Sequence, residues 1–425
     1  MRNTIILFFA LFAFCDGFAQ SGWIVQKSNT TDNLRAISTY DGVNAVAVGV
    51  NGRVLTTGNT GVPWVLQQNP TNQNLNGVTS ISARILCAVG PKDSIYRSTD
   101  RGSTWKGVRS KVRGECYLIA SVYELSAIDY DSVKNTCVAV GDGQEVIFSE
   151  DSGMNWEERP SLSVSGDVTS LKGVSASEGM VIAVGEREQS SGYSRILTSM
   201  NEGDTWVQRT ANLPGVDKFG QSFYGCDTKA WIIVGAHGAI YHSTNFGTSW
   251  DSIPSFVTSN LNSVNFADEI NGFICGDSGV ILMTRDGGYN WVRQISPTKQ
   301  NLRSVSMGNP FHGFMCGDSG TILYTQDGGF SGVQPANGSI SFYIRNYPNP
   351  LSSQTKIRIY IPESGHMNIR IYNALGVDIA TIADADYGAG SHIFEWNATD
   401  IPNGVYMCRM ESGGKSIISQ VIVTR

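Results

Sequence analysis

Apolar and polar residues alternate along this chain in short runs that recur as a unit. One copy reads Asn301-Leu302-Arg303-Ser304-Val305-Ser306, then Phe314-Met315-Cys316-Gly317, then Thr321-Ile322-Leu323-Tyr324. Runs this short, bounded by Gly, Asn, Asp and Ser, predict β-strands joined by tight turns. The units share a register mark, a Gly followed fifteen residues later by Trp: Gly49/Trp64, Gly90/Trp105, Gly141/Trp156, Gly235/Trp250 and Gly276/Trp291. A sixth pair, Gly185/Trp206, carries an insertion, and a seventh copy runs from Gly317 to Gly332, where the Trp is missing. An unaccompanied Trp, Trp23, stands at the other end of the chain.

Four short strands in each unit of about 40 to 50 residues are the mark of a radial array of sheets. The chain is therefore expected to be all-β, with a seven-bladed β-propeller over residues 20–334. Trp23-Ile24-Val25-Gln26 would supply the fourth strand of the last blade and leave no open sheet edge between first and last. A stacked solenoid is the competing architecture, and the split last blade argues against it. After a turn-rich linker at 335–343 the period changes to longer alternating strands, which predict a small C-terminal Ig-like β-sandwich over 344–425.

Between third and fourth strands lies a turn, Ser98-Thr99-Asp100-Arg101-Gly102-Ser103-Thr104-Trp105. An Asp or Asn there accepts hydrogen bonds from following amides, Gly supplies a positive φ, and Trp packs between units. Its structural residues are Asp100, Gly102 and Trp105; Asp151, Gly153 and Trp156; Asn201, Gly203 and Trp206; Asn245, Gly247 and Trp250; and Asp286, Gly288 and Trp291. This turn resembles the Asp-box (BNR) repeat.

Composition adds an address and removes several function classes. An apolar run behind Arg2, ending near Ala19, predicts a signal peptide at 1–19, and no other stretch has the length of a membrane-spanning helix. The formal charge of −6 gives no sign of nucleic-acid binding. Seven cysteines beyond Cys15 show no metal-ligand spacing, so free buried thiols are expected, with no metal and no cofactor. The Cys-Gly-Asp-Ser-Gly segments at 275–279 and 316–320 look like a serine nucleophile but recur in register with plain turns elsewhere. Asp142, Glu145, Glu186 and Glu188 could approach one another, yet nothing in the repeat singles out a catalytic pair.

Alignment on the repeat Gly puts a polar residue at the start of every innermost strand: Arg35, Asn76, Ser126, Lys172, Gln221, Asn262 and Arg303. Their expected home is the mouth of the central channel, where polar and basic side chains, rather than facing carboxylates, could hold an anionic group or a peptide. The longest units carry extra connections on this same face, one of them bearing Lys111 and Arg113. Arg35, Asn76, Lys111, Arg113, Lys172, Gln221, Asn262 and Arg303 are thus the candidate ligand-binding residues.

Two family resemblances complete the reading. Asn346-Tyr347-Pro348-Asn349-Pro350, Ile371-Tyr372-Asn373-Ala374-Leu375-Gly376 and Ile401-Pro402-Asn403-Gly404-Val405-Tyr406 resemble the type A C-terminal sorting domain of the type IX secretion system. That resemblance implies the secretion machinery as a partner, transit through the periplasm, removal of the domain near the linker, and release or attachment at the cell surface. The repeats, best at Asp286, Trp291, Arg303 and Gly317, look like the photosystem II assembly and stability factor family, which implies a non-enzymatic scaffold that binds another macromolecule. Asp-box propellers also include sialidases, but the Arg-Ile-Pro segment of that family is absent: Arg84, Arg195 and Arg358 precede Ile without a following Pro. The expected function is a secreted or cell-surface binding module for a glycan, peptide or protein. The alternatives are a glycoside hydrolase on the same scaffold and a structural adhesin without a defined pocket.

Overall fold

The computed structural model describes residues 22–108, 110–111, 124–144, 146–158, 170–185, 195–209, 223–329, 343–347, 351–361, 363–374, 376–388 and 390–424. The expected signal peptide and nearly all of the linker lie outside these residues. Two compact units result, one built from residues up to Met283 with Arg293–Gln334, the other comprising Pro335–Arg425 and Thr284–Val292.

Among the described residues the repeats form seven sheets of the kind that make propeller blades, antiparallel apart from one added outer strand. Their inner strands are Leu34–Thr39, Gly77–Ser80, Leu125–Asp131, Leu171–Ser177, Phe223–Asp227, Leu261–Phe266 and Leu302–Met307. Six sheets take their remaining strands in chain order, and the third gains a further outer strand, Ser110–Lys111, parallel to Trp156–Glu158. In the seventh, Ile24–Gln26 pairs antiparallel with Ile322–Thr325, so both ends of the repeat region share one sheet.

The register Gly has a steric cause. A Cβ on Gly49 would sit 2.2 Å from the Asn33 carbonyl oxygen, and one on Gly317 would sit 2.0 Å from that of Asn301. In six of the seven units, among the described residues, the chain entering the inner strand lies against the end of the second strand, and only Gly leaves room. The tryptophan rings pack between their own sheet and the preceding one, as Trp64 does with Phe314, Cys316 and Ile322, and Trp206 with Val138 and Phe148. In three of them the indole N–H also closes the Asp-box: Trp105 Nε1 donates to the Gly102 carbonyl at 2.9 Å, Trp156 Nε1 to that of Gly153 at 3.1 Å and Trp291 Nε1 to that of Gly288 at 3.0 Å.

At the seventh sheet this bond is relayed. Trp23, 1% exposed, donates from Nε1 to Gln294 Oε1 at 2.6 Å, and Gln294 Nε2 donates to the Gly329 carbonyl at 3.1 Å. Trp23 also meets Phe273 edge to face, with ring centroids 5.6 Å apart.

Inner strands of neighbouring sheets are joined by side chains. Ser38 Oγ accepts the Ser80 amide, Ser175 Oγ that of Thr228, Asn265 Oδ1 that of Met307 and Ser306 Oγ that of Thr39. Asp129 Oδ2 accepts the Ala176 amide at 2.9 Å and Asp227 Oδ2 that of Phe266 at 2.8 Å. Each acceptor stands three residues before the register Gly in the pairing of inner and second strands, as Ser38 opposite Val46 does. Burial pushes the Asp129 carboxyl up to about 6, helped by the charge of Asp227 and opposed by the backbone amides it accepts. Burial likewise raises Asp227, against the opposing charge of Lys229.

The second unit packs a three-stranded sheet (Tyr343–Tyr347, Gln354–Ile361, Gly390–Asn397) with a four-stranded one (Asp378–Tyr387, Gly365–Asn373, Gly404–Ser412, Lys415–Val423). Alternate residues Ile357, Ile359, Ile361, Met367, Ile369 and Ile371 form its core. Tyr406 OH donates to the Pro402 carbonyl four residues upstream at 2.8 Å, the tyrosine corner of Ig-like sandwiches. The six described cysteines, Cys87, Cys137, Cys226, Cys275, Cys316 and Cys408, are all free and buried.

Two stability predictions follow from these contacts. Trp23→Ala is expected to cost about 3–5 kcal/mol, like a core tryptophan of an intact repeat, read as a lower urea midpoint at unchanged m-value. Equality with a surface substitution would show that the N-terminal strand does not hold the seventh sheet. For Asp129 the folded state binds the extra proton between the unfolded pKa of 3.8 and about 6. Its contribution to stability therefore falls as pH rises through that window, by up to roughly 3 kcal/mol. Asp129→Asn keeps an acceptor for Ala176 and is expected to remove that loss, gaining stability relative to the native chain at pH 7 but not at pH 4.

Candidate functional site

The seven inner strands diverge from a common channel, and one cavity of about 190 Å³, open to solvent, is lined by all of them. Six of the seven strands begin at the channel mouth with a Leu or Phe paired to the register Gly, followed by a bulge, as between Leu34 and Ala36; the second begins at Gly77, paired to Val89, without one. Arg35, Asn76, Ser126, Lys172, Asn262 and Arg303 all line this cavity. Below them lie small residues, among them Ala36, Gly77, Gly173 and Gly225, and then the row of acceptors that includes Asp129 and Asp227.

The fifth strand corrects the sequence alignment. Phe223 pairs with Gly235, with a bulge before Gly225, so the mouth position of that strand belongs to Tyr224 and not to Gln221. The expected anchor Leu is a Phe there, which shifted the alignment by three residues. Gln221 and Arg113 lie outside the described residues. Lys111 sits on the outermost strand of the third sheet, its backbone opposite Glu157.

The chemistry of the mouth also differs from the expectation of polar and basic groups without carboxylates. Four carboxylates interleave with the cations. Arg303 forms a fork with Asp318, Nε to Oδ1 at 3.0 Å and Nη2 to Oδ2 at 2.8 Å, and its Nη1 lies 3.7 Å from Asp277 Oδ1. Arg35 Nη1 donates to Asn76 Oδ1 and lies 3.9 Å from Glu124 Oε1. Lys172 Nζ is 3.9 Å from Asp142 Oδ1. Although partial burial opposes it, the Arg303 guanidinium and the Asn301 amide hold Asp318 below the usual carboxylate range. In turn the hydrogen bond to Asp318 raises Arg303. Asp142, Asp277 and Asp318 each follow a register Gly directly, a signal present in the sequence but read there as a turn or a loop charge. Glu145, Glu186 and Glu188 lie outside the described residues.

Two of the candidate binders are employed within the mouth itself. Asn76 Nδ2 donates to Glu124 Oε1 at 2.7 Å and to the Leu125 carbonyl at 2.8 Å; Asn262 Nδ2 donates to Asp277 Oδ1 at 2.9 Å and to the Leu302 carbonyl at 2.8 Å. Each thereby ties the mouth to the start of the next inner strand. Arg35 and Arg303 retain about two fifths of their side-chain surface in solvent, so guanidinium edges remain available to a ligand. Among the described residues no group of three or more His, Cys, Asp or Glu side chains is arranged to hold a metal ion.

With this geometry in hand, the chain can be set beside known proteins. Residues 345–424 match the family described as the secretion system C-terminal sorting domain, and residues 249–334 that of the photosynthesis system II assembly factor YCF48. No curated protein matches the sequence. Among solved structures, YCF48 bound to D1 peptide is similar with 16% identity and a TM-score of 0.56, covering 72% of this chain and 94% of that one. YCF48 from Cyanidioschyzon merolae is similar with 20% identity and a TM-score of 0.54, covering 72% and 98%. PorZ, a surface component of the type IX secretion system of Porphyromonas gingivalis, aligns at 13% identity and a TM-score of 0.48 over 92% of this chain and 59% of its own. At such identities the likeness to the two YCF48 structures establishes the fold. The chain thus joins a YCF48-like propeller to a type IX secretion sorting domain, which directs it to the cell surface or the extracellular space.

Proposed function

We propose that this protein is an exported, non-catalytic binding module that takes a polypeptide ligand on the mouth face of its propeller. The observation that carries the reading is the ring of Arg35, Lys172 and Arg303, interleaved with Glu124, Asp142, Asp277 and Asp318 at the rim of a cavity lined by all seven inner strands. Charges of both signs, held in place by one another and half open to solvent, suit a chain that carries both ammonium or guanidinium groups and carboxylates. A neutral glycan would use only the hydrogen bonds. YCF48 is structurally known with a peptide bound, and the same ligand class is proposed here. We further propose that the sorting domain is removed near residues 335–343 after export, leaving the propeller of residues 20–334 as the working part.

The acidic residues at the rim do not favour the hydrolase alternative. Asp318 is held ionised by Arg303, which leaves it unable to act as a general acid at neutral pH. The test is a screen of the full chain against peptide and glycan arrays, with reducing-sugar release assayed on each glycan bound. Saturable peptide binding without turnover is expected, weakened at least tenfold by the combined substitution Arg35→Ala, Lys172→Ala and Arg303→Ala. These ion pairs are exposed enough that their loss costs about 1 kcal/mol or less each, so the variant folds. Reducing-sugar release would replace this reading with a hydrolase, and binding seen only in multivalent format would favour an adhesin. For the address, deletion of residues 345–424 in a cell with type IX secretion is expected to leave the propeller in the periplasm, detected by fractionation.

A further inference from the structure

Phe256 lies in the connection between the outer strand Asp251–Ser252 of the fifth sheet and the inner strand Leu261–Phe266 of the sixth. It is 88% exposed, more than any other large apolar side chain among the described residues. Its φ is +55°, in the left-handed region. A bulky aromatic residue is sterically disfavoured there and has no side-chain hydrogen bond with which to compensate. Here it gains no burial either. Neither the backbone nor the core accounts for a Phe at this position.

The loop that carries it is fixed. Ser255 Oγ accepts the Val257 amide at 3.4 Å and donates to the Val257 carbonyl at 3.2 Å, and a Cβ on Gly238 would sit 2.0 Å from that same carbonyl oxygen. Other repeats use the same clamp. Ser28 holds Thr30 around Asn29, φ +58°, and Ser296 holds Thr298 around Pro297. Asn tolerates the left-handed region well, so the clamp itself requires no aromatic residue. Four residues beyond Phe256, Asn260 Nδ2 donates to Asp277 Oδ2 at 3.0 Å and so joins the mouth network. The loop leads directly into the mouth residue Asn262.

We propose that Phe256 is the apolar anchor of the mouth-face site, a preformed contact for an apolar side chain of a polypeptide whose neighbouring charged residues meet Arg303, Asp277 and Asp318. This rests on the mouth being the binding face. Local strain at an exposed aromatic residue is accepted where a ligand supplies the missing burial, and a rigid anchor loses little entropy on binding. The polypeptide is preferred to a glycan because the mouth network that this loop joins through Asn260 carries ion-paired charges of both signs.

The experiment measures peptides captured from an array by the full chain against three variants: Phe256→Asn, Phe256→Leu and the triple mouth variant. Phe256→Asn places at 256 the residue type found at 29, so its thermal midpoint should be unchanged or raised while affinity for captured peptides falls tenfold or more. Phe256→Leu, still apolar, should stay within about threefold of the native chain. Captured peptides should share an apolar residue flanked by charge. If Phe256→Asn binds within twofold while the triple variant is weakened, the anchor is wrong and the mouth reading stands. If neither variant affects binding, both fall. Capture of glycans alone, or of no peptide by the native chain, overturns the assignment of a polypeptide.

Discussion

Each inner strand of this propeller has a backbone partner on one side only. Its other edge faces the next inner strand across a channel, where a continuous ladder cannot form and an unpaired amide would cost free energy. The structure meets that constraint with side chains of the inner strands, and two strands give two each, Ser263 with Asn265 and Ser304 with Ser306. At six of the seven junctions an oxygen of Ser38, Asp129, Ser175, Asp227, Asn265 or Ser306 accepts the amide of the neighbour. A short side chain with an acceptor is needed there, and Ser, Asp and Asn supply it. The interior of the channel is consequently polar, and at two positions it is acidic.

This arrangement separates two kinds of polar residue that look alike in the alternating pattern. The acceptors hold the sheets together, and their chemistry varies little from copy to copy. Using Asp at 129 and 227 in place of Ser or Asn has a cost, because burial raises both carboxyls and the charge of Asp227 raises Asp129 further. The mouth residues three positions earlier on the same strands vary freely among Arg, Asn, Ser, Lys and Tyr. They are tied together by ion pairs that are half exposed and individually weak. The stable part and the variable part of the channel are thus built on the same strands, a few residues apart.

The strands, the Asp-box turns and the sandwich were legible because alternation and turn chemistry are local properties of the chain. The Gly at 49, 90, 141, 185, 235, 276 and 317 marked the register, although its cause, a carbonyl lying where a Cβ would be, was visible only in three dimensions. The mouth position of the fifth unit was misplaced because Phe223 replaces the Leu that anchors the other copies. Lys111 was assigned to the mouth face from the length of its connection, and length says nothing of the path: the segment adds an outer strand. The rim carboxylates were missed for another reason. Asp277 and Asp318 belong to a turn in sequence, and only the inner strands bring Arg303 against them. The relay through Gln294 also has no signal, since residues 23, 294 and 329 meet only when the seventh sheet is assembled from both ends of the repeat region.

Repeats of one unit act as controls for each other, and this decides which positions carry information about function. Where all copies meet the same physical demand, as at the register Gly or the amide acceptors, the residue reports on the fold alone. Where the demand is the same but the residues differ, the difference needs another cause. Asn29, Phe256 and Pro297 occupy one clamp, and the clamp is satisfied in all three. Arg35, Lys172, Asn262 and Arg303 occupy one bulge, and the bulge forms with and without a charged residue there. The fold is indifferent to these side chains, so the choice among them falls to whatever the mouth face meets. An exposed aromatic residue in strained backbone beside an ampholytic rim is what such a choice leaves behind when the ligand is a chain with both apolar and charged groups.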